Sequence, residues 1–151
     1  WPGTVAAGSV SHKTISFVDF LATADELVGG NVYREKRDSD VGPDSFSFLS
    51  ELTGKRSNAP QRSSLALKSG KGLMTLRRGD WKFIDGSGSG GFSDRGKQSS
   101  RSGKAQLYNL AEDLGETNNL VDEHPEIVRS LRKELASITQ AKRSRDLVPQ
   151  P

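Results

Sequence analysis

Apolar positions recur with a helical period in two long stretches of the chain. In the first, Ser16 to Val28, the residues Phe17, Phe20, Leu21, Ala24, Leu27 and Val28 fall at i, i+3, i+4, i+7, i+10 and i+11, and Val18 and Ala22 widen the stripe. The spacing predicts a helix with Ser16 as its N-cap, Asp19 three residues on as the acidic half of a capping box, and Gly29-Gly30 as its stop. A stripe this broad calls for a large partner surface, and the rest of the chain offers little of one. The second stretch, Pro125 to Arg143, is narrower: Ile127, Val128, Leu131, Leu135 and Ile138 predict a helix that packs by one face on a sheet. Pro125 suits the first helical position. Asp122, Glu123 and Glu126 lie at the positive end of the helix dipole, Lys142 and Arg143 at the negative end. Arg129, Arg132 and Lys133 read as its solvated face. A short helix is expected over Asp44 to Leu52, with Phe46, Leu49 and Leu52 on one side, Asp44 or Ser45 as cap and Gly54 as its end.

Between these helices the period shortens. Ser63 to Lys68, Leu73 to Arg78 and Trp81 to Asp85 read as strands, and Arg78-Gly79-Asp80 between two apolar runs is a hairpin signal. Trp81 is expected to bury one face and Lys82 to point to solvent. A fourth strand begins at Gln106, where Leu107 and Leu110 flank the β-favouring Tyr108. It breaks at Glu112 to Gly115, where Asp113 can bond backbone two residues on and Gly115 can take a positive φ. Thr117, Asn118 and Asn119 then supply short polar side chains that pin backbone groups locally, and Leu120 and Val121 return the chain to apolar surface. Thr4 to Thr14 (with the isolated His12), Asn31 to Pro43 and Lys55 to Arg62 read as loops, and Asp146 to Pro151 as a tail with nothing to order it. Gly86 to Lys104 is rich in Gly and Ser and carries Arg95, Lys97, Arg101 and Lys104 against Asp94. Two readings stand for it: an anion-binding loop working through backbone N–H groups, or a flexible excursion between strands, toward which its composition leans. Gly88 to Ser93 is the part expected to order, since Phe92 has something to bury. The segment lacks the spacing of a nucleotide P-loop.

Composition narrows the picture in three ways. The chain has 151 residues, 32% of them hydrophobic, with 16 glycines, an apolar content that implies a core either small or shared with something else. The formal charge of +3 is spread among mixed signs and is no nucleic-acid footprint. With no cysteine, disulfides, thiolate metal sites and a cysteine nucleophile are excluded within these residues. No apolar run approaches the ~20 residues needed to span a bilayer, and no signal peptide is visible. The chain opens on Trp1-Pro2-Gly3, which reads as the stop after a buried strand, and the expectation is therefore a piece of something longer.

Four segments, in order, carry a family resemblance. Leu107-Tyr108-Asn109-Leu110 followed by Asp113, Glu116, Asn119 and Leu120 resembles the "L-Y-[DN]-L-x-x-D-P-x-E-x-x-N-L" signature near the carboxyl end of type I, arylsulfatase-like sulfatases of the alkaline-phosphatase-like superfamily, with Leu114 in place of the usual proline. Thr75 to Ile84 is similar to the family's "A-[IV]-R-x-G-x-W-K-[LYF]-I". Asp44 to Lys55 resembles its "D-G-x-S-L-x-P-x-L-x-G". Trp1-Pro2-Gly3 and the helix after it resemble the end of its large domain, with Asp19 and Thr23 at the matching polar positions. Some bacterial sulfatases also carry a G-G-F-[ST] stretch after the W-K-L-I strand.

The resemblance implies an α+β fold: a C-terminal sulfatase subdomain with an antiparallel sheet of about four strands packed against a long C-terminal helix, preceded by a helix of the large α/β domain. Its implied organisation is residues 1–54 as the end of a truncated large domain, 55–143 as the sheet-and-helix subdomain with the loop at 86–104, and 144–151 as a disordered tail. For the full-length enzyme it implies sulfate-ester hydrolysis by a formylglycine nucleophile made within a C/S-x-P-x-R motif, with calcium (Ca2+) on Asp and Asn ligands and Lys and His residues at the sulfate. None of those motifs is found in these residues, and the family's histidine and lysine just before W-P-G would precede Trp1. The chain as given is therefore expected to be catalytically incomplete, with no catalytic residue, no metal ligand and no cofactor of its own. Where many relatives carry substrate-facing histidines, Leu67 and Lys68 stand here, which makes Lys68 the one substrate-binding candidate. The implied partners are a missing N-terminal catalytic domain and a sulfated small molecule or sulfated glycan, with no nucleic acid and no membrane, and the implied compartment is secreted, periplasmic or lysosome-like. Asp19 reads as a cap or packing contact. The alternative is a non-catalytic interaction or structural module that retains the fold and docks through the apolar helix of Ser16 to Val28.

Overall fold

The computed structural model describes residues 1–30, 41–90 and 103–145. Most of the charged loop read at Asn31 to Pro43, the middle of the Gly/Ser segment including Phe92, and the tail from Asp146 lie outside the described residues. The elements, in order, are α1 (Asp19–Leu27), α2 (Leu49–Thr53), β1 (Leu65–Lys68), β2 (Met74–Arg78), β3 (Trp81–Ile84), β4 (Gln106–Asn109) and α3 (Pro125–Ala141). They fall into two compact units, one of Trp1–Arg62 with the residues from Arg143 onward, the other of Ser63–Lys142.

The second unit is the expected α+β arrangement, a four-stranded antiparallel sheet in the order β1-β2-β3-β4 with α3 against it. Arg78 pairs directly with Trp81, so Gly79-Asp80 is a two-residue hairpin turn, and Gly79 takes the positive φ of 58° that such a turn requires. Register places Ala66, Leu76, Phe83 and Leu107 in one row across the four strands. Leu76, Phe83 and Leu107 are fully buried, and Val128, Leu131 and Leu135 of α3 close over them, as the narrow stripe predicts. Each such side chain contributes about 1.5–3 kcal/mol by leaving water. A smaller cluster, Leu73, Ile84 and Tyr108, forms separately. α3 begins with Pro125 at its first positions and ends on Lys142, which takes the left-handed φ of 56° usually left to glycine.

The strand-to-helix connection departs from the sequence expectation in two details. Asp113 bonds further along than two residues: its Oδ2 accepts from the Thr117 and Asn118 N–H groups at 2.7 and 2.8 Å, and its Oδ1 from the Thr117 hydroxyl at 3.0 Å. The positive φ falls on Glu116 (54°) rather than Gly115. Glu116 is held there because Lys82 Nζ reaches its Oε1 at 2.5 Å. Lys82 is therefore half-buried and paired, not free in solvent as its strand position suggested. The turn also satisfies the outer edge of β4. Asn119 Oδ1 accepts from the Leu107 N–H at 3.0 Å and the Val121 N–H at 3.1 Å, its Nδ2 donates to the Ala105 carbonyl at 3.3 Å, and the Leu120 N–H donates to the Leu107 carbonyl at 2.8 Å.

In the first unit, α1 starts at Asp19, later than the Ser16 cap predicts, and the Ser16 side chain makes no cap. Only the reciprocal half of the capping box forms, with the Ser16 N–H donating to Asp19 Oδ2 at 2.8 Å. Asp19 faces inward, 1% exposed, where its Oδ1 accepts from the Phe46 N–H at 3.0 Å and both oxygens pair with the Arg62 guanidinium. Arg62 also donates to the Asp44 carbonyl at 2.9 Å and lies 4.6 Å from the centre of the Phe46 ring. Ser45 Oγ accepts from the Ala22 N–H at 2.9 Å, and Thr23 Oγ1 accepts from the Phe48 N–H at 3.1 Å. This explains why the short helix begins at Leu49 and not at Asp44. The Phe46 and Phe48 N–H groups bond to α1 side chains, so they are not free to close helical turns. Gly54 ends α2 in the left-handed region, as expected. Ser144 and Arg145, read with the tail, are tied in: the Ser144 N–H donates to Asp44 Oδ1 at 2.7 Å and the Arg145 N–H to the Pro43 carbonyl at 3.1 Å.

The side of α1 that is buried is thus Asp19, Ala22 and Thr23, while its apolar stripe faces solvent: Phe17 is 90% and Val28 81% exposed, and Phe20, Leu21 and Leu27 are about half exposed. Because the Asp19–Arg62 pair is almost wholly out of water, removing one partner leaves a buried charge uncompensated. Asp19→Ala is expected to destabilise the first unit by about 3–5 kcal/mol. Denaturant titration and the hydrogen exchange of the Phe46 amide measure this; unchanged protection of that amide would show that the pair does not hold the segment.

Candidate functional site

Lys68 is the last residue of β1 and pairs with Met74 across the β1–β2 hairpin. The connection is tightly tied. The Ser69 N–H donates to the Leu73 carbonyl at 2.8 Å, the Gly72 N–H to the Ser69 carbonyl at 2.9 Å, and the Leu73 N–H to Ser69 Oγ at 3.0 Å. The Lys71 N–H reaches the Gly90 carbonyl at 3.3 Å, which fixes the hairpin end against the root of the Gly/Ser segment. Gly90 is required there: its φ is +65°, and a Cβ would lie 2.6 Å from Ser69 Oγ. Gln106 Nε2 secures the same root by donating to the carbonyls of Gly86 and Gly88 at 2.9 and 3.0 Å. Lys68 and Lys71 therefore project, both exposed, from a backbone of fixed shape, and neither ammonium has a partner among the described residues. Such a pair can hold an anionic group as two point charges. Leu67 is half-exposed beside them.

The remaining titratable groups form no catalytic constellation around this hairpin. His12 is exposed in the first unit. His124 packs edge-on against Trp81, ring centres 5.2 Å apart, with Nδ1 3.7 Å from Glu126. Asp19 serves the buried pair with Arg62. Among the described residues no group of three or more His, Cys, Asp or Glu stands together to hold a metal ion. The perturbed groups are structural. The Asn118 and Thr117 N–H groups hold the Asp113 carboxyl below its ordinary value. Lys13 and then Ser11 lower Glu51. Burial, followed by the charges of Glu116 and Asp113, pushes the Tyr108 hydroxyl up. Sequence reading missed Arg62 and Lys71, and gave Ser45 only as a possible cap of the short helix, where it instead accepts from the Ala22 N–H. The available signal for the first was Asp19 and Thr23 four residues apart on one helix face, which marks a buried polar side awaiting partners.

No family model matches the chain. A curated N-acetylgalactosamine-6-O-sulfatase of Bacteroides thetaiotaomicron is 27% identical over 139 residues, 91% of this chain and 26% of that protein. Among solved structures, a Bacteroides thetaiotaomicron sulfatase from work on the metabolism of multiple glycosaminoglycans matches with a TM-score of 0.61 at 26% identity, covering 81% of this chain and 24% of its own. A 2-O glycosaminoglycan sulfatase matches with a TM-score of 0.56 at 18% identity, covering 82% of this chain and 24% of its own, a likeness of fold. The chain spans about a quarter of the length of these relatives.

The Asp113 turn carries a pH prediction. Its folded-state pKa lies below the ordinary value of 3.8, so its contribution is complete above that value and is lost as pH falls through the folded one. Protection of the Thr117 and Asn118 amides is expected to hold at neutral pH and to fall only in strong acid. Asp113→Asn should weaken it at neutral pH and remove the acid transition; an acid transition surviving in that variant would assign it elsewhere.

Proposed function

We propose that this chain, a homologue of sulfatases, is the carboxyl-terminal part of an enzyme that hydrolyses sulfate esters on a glycan. The observation that carries this reading is the four-stranded sheet and helix built from the W-K-F-I and L-Y-N-L segments, matched to sulfatases over about a quarter of their length. In this reading the first unit closes the large α/β domain and the second is the smaller sheet-and-helix domain. The nucleophile, the metal and the groups that protonate the leaving oxygen come from the rest of the enzyme, and this part completes the substrate pocket.

The chemistry assigns a definite task to these residues. A sulfate ester and its transition state are anionic, so a pocket wall contributes most by presenting fixed cations without adding a base that would compete for protons. Lys68, on a hairpin end braced by Ser69, Gly90 and Gln106, is such a cation. It binds a sulfate or carboxylate of the substrate at the pocket wall, where relatives use histidine. The exposed stripe of α1, from Phe17 to Val28, is buried against the large domain, which supplies the partner surface that these residues lack. A second reading, an interaction module that keeps the fold and docks through the same stripe, rests on that exposed face alone. The coding sequence upstream of Trp1 separates the two, because only the enzyme reading requires a C/S-x-P-x-R motif there.

Two outcomes are expected. The purified chain alone turns over neither 4-nitrophenyl sulfate nor N-acetylgalactosamine 6-sulfate; turnover at the level of an intact sulfatase would overturn the assignment of the catalytic groups to other parts of the enzyme. In the protein extended upstream, Lys68→Ala raises KM for a sulfated glycan roughly three- to tenfold with kcat unchanged, the signature of lost uniform binding, and an unchanged KM would remove Lys68 from the pocket.

A further inference from the structure

A groove of about 510 Å³ runs along the flank of α3, entirely within the second unit and remote in sequence from the Lys68 hairpin. Its volume falls in the ~300–1,000 Å³ range of small-molecule sites. Val121, Pro125, Val128 and Ala136 supply an aliphatic floor, and Arg129, Arg132 and Lys133 a cationic rim. The sequence marks these three cations as an ordinary solvated helix face. The structure differentiates them. Arg132 is anchored, its Nε 3.3 Å from Asp85 Oδ1 and its guanidinium 5.3 Å from the centre of the Phe83 ring. Arg129 and Lys133 have no hydrogen bond or ion pair among the described residues. Two cations without a partner among the described residues and one fixed one thus rim an apolar trough between Pro125 and Ala136.

Acidic residues stand beside the end at Val121 and Pro125. Glu123 and Glu126 flank Pro125 there, both exposed, and Asp122 beside Val121 is already paired with Lys104. Pro125 and Lys133 are separated by roughly 12 Å along the helix axis at 1.5 Å per residue. A long polyanion laid along the groove would place negative charge against Glu123 and Glu126. A ligand with one anionic head and an uncharged apolar body meets no such conflict. We infer that the α3 groove binds a small organic anion, its sulfonate, sulfate, phosphate or carboxylate head held by Arg129, Arg132 and Lys133 and its apolar body lying over Val121, Pro125 and Val128. The site stands independently of the sulfatase reading, since no catalytic group is involved.

Titration of the ¹⁵N-labelled chain with naphthalene-2-sulfonate, which cannot be hydrolysed, tests it against two controls, inorganic sulfate and 2-naphthol. The expected result is saturable shifts of the amides from Val121 to Ala136, with binding at least about tenfold weaker for either control. Arg129→Gln with Lys133→Gln weakens binding roughly tenfold, about 1.4 kcal/mol, with Tm unchanged because both side chains are exposed and unpaired, and Arg129→Lys restores part of the loss. Equal affinity for inorganic sulfate would reduce the site to a charge cluster and overturn the role of the floor. Shifts confined to the exposed stripe of α1, or none that saturate, would overturn the site itself. Displacement of the sulfonate by phosphatidylglycerol vesicles would assign the groove to a membrane surface and overturn the small-ligand reading.

Discussion

The second unit depends on how the outer edge of β4 is satisfied. A strand at the edge of a sheet presents unpaired N–H and C=O groups, and a buried backbone group without a partner costs about 1–3 kcal/mol. Here one side chain and one peptide group take the place of a fifth strand: Asn119 accepts from Leu107 and donates to Ala105, and Leu120 donates to Leu107. Because Asn119 also accepts from Val121, the same residue sets the direction in which the chain leaves the sheet. That places Leu120 and Val121 against the core and starts α3 where Val128, Leu131 and Leu135 meet the row of Leu76, Phe83 and Leu107. The turn before it is held from both sides, by Asp113 on the Thr117 and Asn118 amides and by Lys82 on Glu116. Packing of the helix on the sheet thus follows from a polar constraint at the sheet edge.

The first unit inverts the usual arrangement of a surface helix. The polar side of α1 is buried, with Asp19 against Arg62 and Thr23 against the Phe48 amide, and the apolar side is exposed. A carboxylate and a guanidinium out of water are tolerated only when their remaining hydrogen-bonding capacity is met. Ser16, Phe46 and the Asp44 carbonyl meet it. What remains outside is a stripe of Phe, Leu and Val of the kind that marks an interaction surface. Under the proposed function, that stripe is the face that meets the large domain.

Three features bear on function, and they differ in kind. The hairpin at Lys68 is a cation on a rigid support, suited to recognition and carrying no group for bond breaking. The α1 stripe is an apolar face. The α3 groove combines both characters in one trough, an aliphatic floor with a cationic rim. In the proposed function the first two share a setting, in which this part of the chain lines the substrate pocket and the catalytic groups come from the rest of the enzyme. The groove requires no such setting and adds a third surface, within the second unit alone.

The sequence by itself determined the elements whose signals are local. The narrow stripe of α3, the Gly79-Asp80 turn and the W-K-F-I strand were legible because period and turn chemistry depend on neighbours a few residues apart. The ordered set of four motifs was legible for a different reason, as a resemblance to a family. Only the tertiary structure decided which residues take the strained or buried roles. Gly115 was the natural owner of a positive φ, but the long-range pair with Lys82 transfers it to Glu116. Asp44 to Phe48 carried a helical pattern, but α1 takes up the amides of Phe46 and Phe48 and delays the helix to Leu49. Arg62 lay in an unremarkable loop until Asp19, forty-three positions earlier, was found beside it. The groove on α3 was invisible because its aliphatic and cationic residues alternate along the sequence, and it takes the folded helix to bring them onto one flank. Local free energies of a kcal/mol or less set the propensities, whereas burial of a charge or an amide is worth several, and where the two conflicted the long-range term prevailed.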